Sequence, residues 1–296
     1  MSARRNRIEL PAGSFHYRTW GETGPAAVLL HGNAASSASW ERVGPELAAR
    51  MRVSALDLRG HGDSVRPPAG AYQLAEAAAD VADFTTALGL RHPLLVGHSW
   101  GAAVALTLAA RPDADLGGLV LEDPPPQMSV DALHTHINGL IRAGELPPGA
   151  LLETVAVVHP GWHPDDVRTF ATDLSHAHPD VIRALVADGA RSGPLLLLLA
   201  NSTAPVLLLR ADPRRGGLLD DTDFARACRL LPPHSKAVDL PGVSHEIHRA
   251  AFEDFTRALL SFAAHLPHLS LPDPAGHPPP STFGSDQRPT DLQRPR

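Results

Sequence analysis

Apolar residues along the chain form short continuous runs that alternate with longer amphipathic segments. Four of the runs are too apolar for half-exposed strands and predict strands that are buried on both faces. They occupy residues 25–30, 52–58, 93–96 and 119–122. Apolar side chains at helical spacing predict helices at residues 38–51, 74–88 and 99–110. Because strand and helix alternate with short connections, we expect an α/β fold with a mostly parallel eight-stranded sheet flanked by helices.

The alternation breaks after Asp123, where three consecutive prolines end regular structure. From residue 124 to residue 202 the pattern is helical, and a strand pattern returns only at 205–209. We therefore expect a helical lid at 124–202, inserted into a core made of residues 1–123 and 203–265. Residues 266–296 are rich in proline and polar residues, which predicts a disordered tail.

Charge and composition narrow the class of partner. The 296 residues carry a formal net charge of -6 with scattered signs, so they offer no basic stripe for nucleic acid. The longest apolar stretch is too short to span a bilayer, and no secretory signal is visible. With Cys228 as the only cysteine, no intrachain disulfide can form. We expect a cytoplasmic protein with a small-molecule substrate; the oligomeric state stays open.

The segment Gly97-His98-Ser99-Trp100-Gly101 joins a predicted strand to a predicted helix. Such an abrupt turn crowds the residue at its corner, so the positions two residues away on either side need glycine. The turn exposes the Ser99 hydroxyl above the sheet, close to the first amides of the helix. Ser99 is therefore predicted to be a nucleophile.

A serine hydroxyl needs a histidine to accept its proton and a carboxylate to orient that histidine. His245 and Asp212 each follow a predicted strand, at the sheet edge where open α/β sheets bind ligands. We favour Asp212 as the acid because it directly follows an apolar strand and precedes a proline. Glu122 and Asp123, after the sixth strand, are the alternatives.

Four motifs in order make the chain resemble the α/β-hydrolase superfamily with a helical cap. They are His31-Gly32, Asp57-x-Arg59-Gly60-His61-Gly62-x-Ser64, Gly97-x-Ser99-x-Gly101 and Gly242-x-x-His245. The resemblance implies a serine hydrolase with neither a metal nor an organic cofactor. It also implies an oxyanion hole formed by the backbone N–H groups of Trp100 and Asn33. The loop Arg210-Ala211-Asp212-Pro213 departs from the family pattern, which has a glycine before the acid.

A second likeness is to the haloalkane dehalogenases, in which an asparagine and a tryptophan hold halide. Asn33 and Trp100 stand at matching places here, but the dehalogenase nucleophile is an aspartate. Ser99 would form an alkyl ether that water does not readily cleave. Dehalogenation is therefore rejected.

The sequence thus predicts a hydrolase of a small to medium ester, lactone or related acyl compound, acting through an acyl-serine intermediate. Two alternatives keep the same residues but change the chemistry: hydrolysis of a carbon–carbon bond, or peracid formation with peroxide. A third alternative is a ligand receptor of the same fold without catalysis.

Overall fold

A computed structural model describes residues 2–127, 130–267 and 269, with only the backbone described at 130–136. Eight strands form one sheet in the order β1-β2-β4-β3-β5-β6-β7-β8. They are β1 Arg4–Leu10, β2 Gly13–Trp20, β3 Ala26–Leu30, β4 Arg52–Leu56, β5 Leu94–His98, β6 Gly118–Glu122, β7 Val206–Ala211 and β8 Lys236–Leu240. The first two strands are antiparallel and strands β3 to β8 are parallel. The predicted α/β-hydrolase architecture is confirmed.

Helices cover both faces of this sheet. They are α1 Val43–Ala48, α2 Leu74–Ala87, α3 Trp100–Ala109, α4 Val130–Gly144, α5 Pro148–Val158, α6 Pro164–His176, α7 Pro179–Gly189, α8 Asp221–Leu230, α9 Ile247–Ala250 and α10 Phe252–Ala263. Apolar side chains of α2, α3 and α8 pack with one face of the sheet, and those of α1 and α10 pack with the other. This burial explains why the inner strands are apolar on both sides.

Two helical segments are interrupted in the structure. The helix expected at 38–51 is a 3-10 turn at Ser37–Trp40 followed by the short α1. Pro45 explains the difference, because a proline inside a continuous helix would remove a backbone hydrogen bond. The last helix is divided at Ala251, whose backbone (φ -139°, ψ 56°) is not helical. The division leaves the four residues of α9 as a separate element directly after His245.

Helices α4 to α7 lie between β6 and β7 in sequence, and we call them the inserted helices. Their buried side chains, among them Ile141, Leu151 and Leu174, form an apolar cluster separate from the two sheet clusters. The 3-10 segment Leu195–Asn201 differs, because its leucines pack in the sheet cluster beside α3. By their packing, the residues just before 202 therefore belong with the core. The boundaries of the predicted lid at 124 and 202 stay a prediction.

The predicted tail boundary at 266 is too early. Leu266 and Leu269 are 4% and 1% exposed and pack in the same cluster as α1 and α10. The rest of the predicted tail lies outside the described residues. In the part of the chain that is described, no helix has both the length and the apolar character needed to cross a bilayer.

Candidate active site

Ser99 occupies the corner between β5 and α3 with a strained backbone (φ 52°, ψ -116°). Such a conformation costs a non-glycine residue about 1–3 kcal/mol and is found mainly at functional sites. The neighbouring glycines explain how the corner fits. A Cβ atom on Gly97 would lie 2.4 Å from the Gly101 carbonyl oxygen, and one on Gly101 would lie 2.4 Å from that of Leu30. The glycine spacing is therefore a packing requirement of the turn that carries the serine.

His245 is paired with Asp123. The distance from His245 Nδ1 to Asp123 Oδ2 is 2.6 Å, and the Asp123 side chain is 0% exposed. The same carboxylate accepts hydrogen bonds from the backbone N–H groups of Leu218 (2.9 Å) and Ala211 (3.3 Å). These donors hold Asp123 in one orientation. The bond to Nδ1 leaves Nε2 as the nitrogen available for proton transfer.

The pKa of His245 results from two opposing effects. Burial alone lowers it, but the hydrogen bond and the negative charge of Asp123 more than offset burial. Together with the charges of Glu246 and Glu122, they raise the pKa of His245 to about 8. His245 can therefore gain and lose a proton near neutral pH, as a general base must.

The expectation that Asp212 orients His245 is wrong in geometry. Asp212 Oδ1 accepts from Arg214 N and Nε (2.9 and 3.1 Å), and Oδ2 accepts from Arg214 Nη2 (3.1 Å) and Gly242 N (2.8 Å). These bonds lower the pKa of Asp212, the side chain of Arg214 first among them. The Asp212 carboxylate is thus bound to Arg214 and Gly242, whereas His245 Nδ1 contacts Asp123. The sixth-strand alternative, Asp123, takes that place.

Glu122, the other sixth-strand alternative, contacts a different histidine. Its carboxylate accepts from His248 N (2.8 Å) and lies 2.9 and 3.0 Å from His248 Nδ1. Glu122 ends β6, and Asp123 follows it with a left-handed backbone (φ 43°), so the two side chains meet different partners. Burial raises the pKa of Glu122 well above its ordinary value, and burial lowers that of His248 to about 3.

The pocket beside Ser99 is shared between the core and the inserted helices. The core contributes Ser99, His245, Asn33 and Trp100 to its wall. Apolar side chains of the inserted helices close the other side: Ile137, Leu140, Phe170 and Val186. Helix α3 begins at Trp100, and the first N–H groups of a helix have no partner within it. Asn33 and Trp100 both line this pocket, and their oxyanion role stays a prediction.

One group of side chains in the described part of the chain could hold a metal ion. It consists of His98, Glu122 and His248, which are buried and whose ligand atoms lie within 4.8 Å of one another. His248 is already hydrogen-bonded to the carboxylate of Glu122, and burial, with the positive charge of Arg249 as a further cause, lowers the pKa of both histidines. A neighbouring positive charge opposes cation binding, so we assign no metal to this group.

Sequence reasoning missed Arg249, which also lines the pocket. The sequence does contain a signal for this residue. Arg249 lies four residues after His245, in a segment that also contains the apolar residues Ile247 and Ala250. A charged residue in that setting is either exposed or part of the site. Here it is 3% exposed.

Comparison with known proteins agrees with this geometry. A sequence model described as the alpha/beta hydrolase fold matches residues 25–167. The chain is 28% identical to 2-(acetamidomethylene)succinate hydrolase of Mesorhizobium japonicum, covering 86% of this chain and 94% of the relative. It is also 28% identical to N-formylmaleamate deformylase of Pseudomonas putida, covering 86% and 92%.

Solved structures lead to the same family. The crystal structure of E-2-(acetamidomethylene)succinate hydrolase matches with a TM-score of 0.76 and 26% identity, covering 88% of this chain and 99% of that one. These relatives are hydrolases, and so is this chain. It belongs to the α/β-hydrolase superfamily.

Proposed function

We propose that the protein is a serine hydrolase that cleaves a carboxylic acyl compound through an acyl-Ser99 intermediate. The observation that carries the proposal is the buried His245–Asp123 pair at 2.6 Å, whose histidine lines the same pocket as a serine on a strained turn. An ionised carboxylate on Nδ1 fixes the histidine tautomer that can accept a hydroxyl proton at Nε2.

In the acylation half of the reaction, His245 Nε2 takes the proton of the Ser99 hydroxyl while Ser99 Oγ attacks the acyl carbon. The negative charge then forms on the former carbonyl oxygen, where the N–H groups of Asn33 and Trp100 stabilise it. Collapse of this intermediate expels the leaving group, which receives the proton from His245. The products of this half are the acyl-serine and the released alcohol or amine.

In the second half, water replaces the leaving group. His245 accepts a proton from the water as its oxygen attacks the acyl carbon, and the same oxyanion contacts stabilise the second intermediate. Ser99 then leaves with the proton held by His245. The net reaction adds one water and releases one carboxylic acid.

The names of the two relatives support an acyl substrate. One is named a hydrolase of a substituted succinate, and the other a deformylase of a maleamate. Both names describe carboxylate-bearing compounds. For this chain we propose a small acyl substrate of this kind, with an ester, lactone or amide as the bond that is cleaved.

The test is turnover of p-nitrophenyl esters of graded chain length by the wild type and by Ser99→Ala, with mass spectrometry of the stalled enzyme. We expect Ser99→Ala to reduce kcat by about 10⁴-fold or more. A mass increase equal to the acyl group should appear on the peptide that contains Ser99. Activity retained within about tenfold in Ser99→Ala would contradict the nucleophile.

The same assay separates the other chemistries. A carbon–carbon hydrolase would turn over diketones faster than esters, and a perhydrolase would need peroxide for its product. A receptor would bind ligand without release of nitrophenol, with no acyl-serine formed. Ester turnover that depends on Ser99 excludes the receptor.

A further inference from the structure

Arg249 presents a buried cation to the pocket that contains Ser99 and His245. The residue is 3% exposed and lines the pocket together with Phe170 and Ser39. Burial lowers the pKa of its guanidinium, but an arginine in a protein stays charged. The pocket therefore contains a fixed positive charge that the acyl-transfer chemistry does not use.

The donors of this guanidinium are only partly satisfied. Nη2 donates to Ser39 Oγ at 2.9 Å, whereas Nε and Nη1 have no acceptor among the described residues. Buried polar groups are nearly always hydrogen-bonded, and an unpaired charged donor is costly to bury. Two open donors on one buried cation therefore indicate an acceptor that arrives with a ligand.

The guanidinium lies against two aromatic rings. Its carbon Cζ lies 5.1 Å from the centroid of the Trp162 ring and 4.9 Å from that of Phe170. Cation–π contacts at this distance stabilise the charge. Together with the hydrogen bond to Ser39, they restrain the guanidinium in the wall of the pocket.

The neighbouring carboxylates stabilise the charge without occupying these donors. Asp173, Glu246, Asp166 and Glu122 all act on Arg249 through their negative charge. Glu122 contacts His248, Asp166 contacts Arg42 at 2.6 Å, and Asp173 contacts Ser36 at 2.6 Å.

We propose that Arg249 binds a carboxylate of the substrate through Nε and Nη1 while a second, acyl group of the same molecule meets Ser99. The inference rests on the proposed hydrolase function and narrows it to acyl compounds that carry an anionic carboxylate. Charge-assisted hydrogen bonds from arginine to a carboxylate are short and strong, and they fix orientation as well as affinity. The apolar wall from the inserted helices would contact the carbon chain between the two groups.

The experiment compares two esters that differ only in charge. They are p-nitrophenyl hemiglutarate, which has a free carboxylate, and its methyl-capped neutral ester. We expect the wild type to favour the anionic ester by at least about tenfold in kcat/KM, mainly through KM. Ser99→Ala gives the background rate of each ester.

Arg249→Met removes the charge at similar size and should reduce this selectivity ratio by at least about tenfold. Arg249→Lys keeps the charge but loses the planar donor arrangement, so its ratio should fall between the other two. The matched control is Arg257→Met on α10, where the side chain is exposed and paired with Asp254. This control should keep the wild-type ratio.

A binding measurement keeps the outcome independent of turnover. Glutarate should raise the Tm of the Ser99→Ala variant, whereas the neutral glutaramide should not. In the double variant Ser99→Ala, Arg249→Lys, most of this rise in Tm with glutarate should be lost. A wild type without preference for the anionic ester, or an unchanged ratio in Arg249→Met and Arg249→Lys, would overturn the carboxylate site. If neither ester is hydrolysed but glutarate still binds through Arg249, the proposed reaction fails and the carboxylate site stands.

Discussion

Two histidine–carboxylate pairs lie side by side in this protein, and they behave in opposite ways. The carboxylates, Asp123 and Glu122, are consecutive, and the histidines, His245 and His248, are one helical turn apart. Their contacts are of similar length, 2.6 Å for His245–Asp123 and 2.9 Å for His248–Glu122. Yet the pKa of His245 is raised to about 8, and that of His248 is lowered to about 3.

The difference comes from what surrounds each pair. Burial lowers the pKa of both histidines, and at His245 the hydrogen bond and charge of Asp123 overcome it. At His248 burial dominates, and the positive charge of Arg249 lowers the pKa further. Burial also raises the pKa of Glu122, which weakens its carboxylate as a counter-charge. A short contact to a carboxylate therefore does not by itself make a histidine a base.

The largest contrast is expected from changing each histidine to glutamine. His245→Gln removes the proposed base and should lower kcat by about 10⁴-fold or more. His248→Gln keeps a donor toward Glu122 and should retain kcat within about tenfold, with a lower Tm because the site is tightly packed. Steady-state kinetics and thermal melts of both variants test this. Equal loss of kcat in the two would mean that the two pairs act as one unit.

The carboxylates should show the same contrast. Asp123→Asn keeps the shape but no longer fixes the tautomer of His245, so kcat should fall by about 10⁴-fold. Glu122→Gln changes a pair outside the proposed proton transfer, and its kcat should stay within about tenfold. Both variants are isosteric, so each controls for the other. A severe loss in Glu122→Gln with a mild one in Asp123→Asn would reverse the assignment.

Much of the fold could be predicted from the sequence because it depends on local patterns. Apolar runs become buried strands, and the glycines around Ser99 report a steric requirement that any chain with this turn must meet. Interruptions such as the one at Ala251 were not predicted, because nothing in the apolar spacing marks them. The boundary at 266 was missed for a related reason: two isolated leucines fill a gap between distant elements.

The acid of the site shows the limit of such reasoning. Asp123 and Asp212 both follow an apolar strand, so the local pattern does not separate them. What separates them is long-range: the N–H groups of Ala211 and Leu218, about ninety residues away, hold Asp123, whereas Arg214 binds Asp212. Arg249 was missed because its burial depends on Trp162, which lies between α5 and α6, and on Phe170 of α6.

The pH dependence gives a smaller, continuous effect. Because the neutral form of His245 is the base, kcat/KM should rise with pH through an inflection near about 8. A histidine with an ordinary pKa would place this inflection near about 6.5. In Asp123→Asn the remaining activity should show a lower inflection, since the carboxylate that raises the pKa is gone.

Histidine resonances followed by NMR test the same difference without substrate. The resonance of His245 should titrate near pH 8 and that of His248 should stay unchanged above about pH 5. Assignment by the two glutamine variants identifies each signal. A His248 signal that titrates near neutrality would remove the contrast between the pairs.

The smallest effect is expected at Asp212, the residue that the strand pattern favoured as the acid. Its carboxylate joins the loop after β7 to Gly242, three residues before His245, through the 2.8 Å bond from Gly242 N. Asp212→Asn keeps an oxygen that can accept this bond, but it loses the acceptor for Arg214 N and the ion pair with Arg214, whose side chain is 84% exposed and whose pairing contributes little in water. We therefore expect kcat within about fivefold of the wild type and a small decrease in Tm. Asp212→Ala removes the acceptor as well and should lower Tm further, since the loop before His245 is then less restrained. If Asp212→Asn instead matched the loss in Asp123→Asn, the loop would have to rearrange during turnover and bring Asp212 to His245.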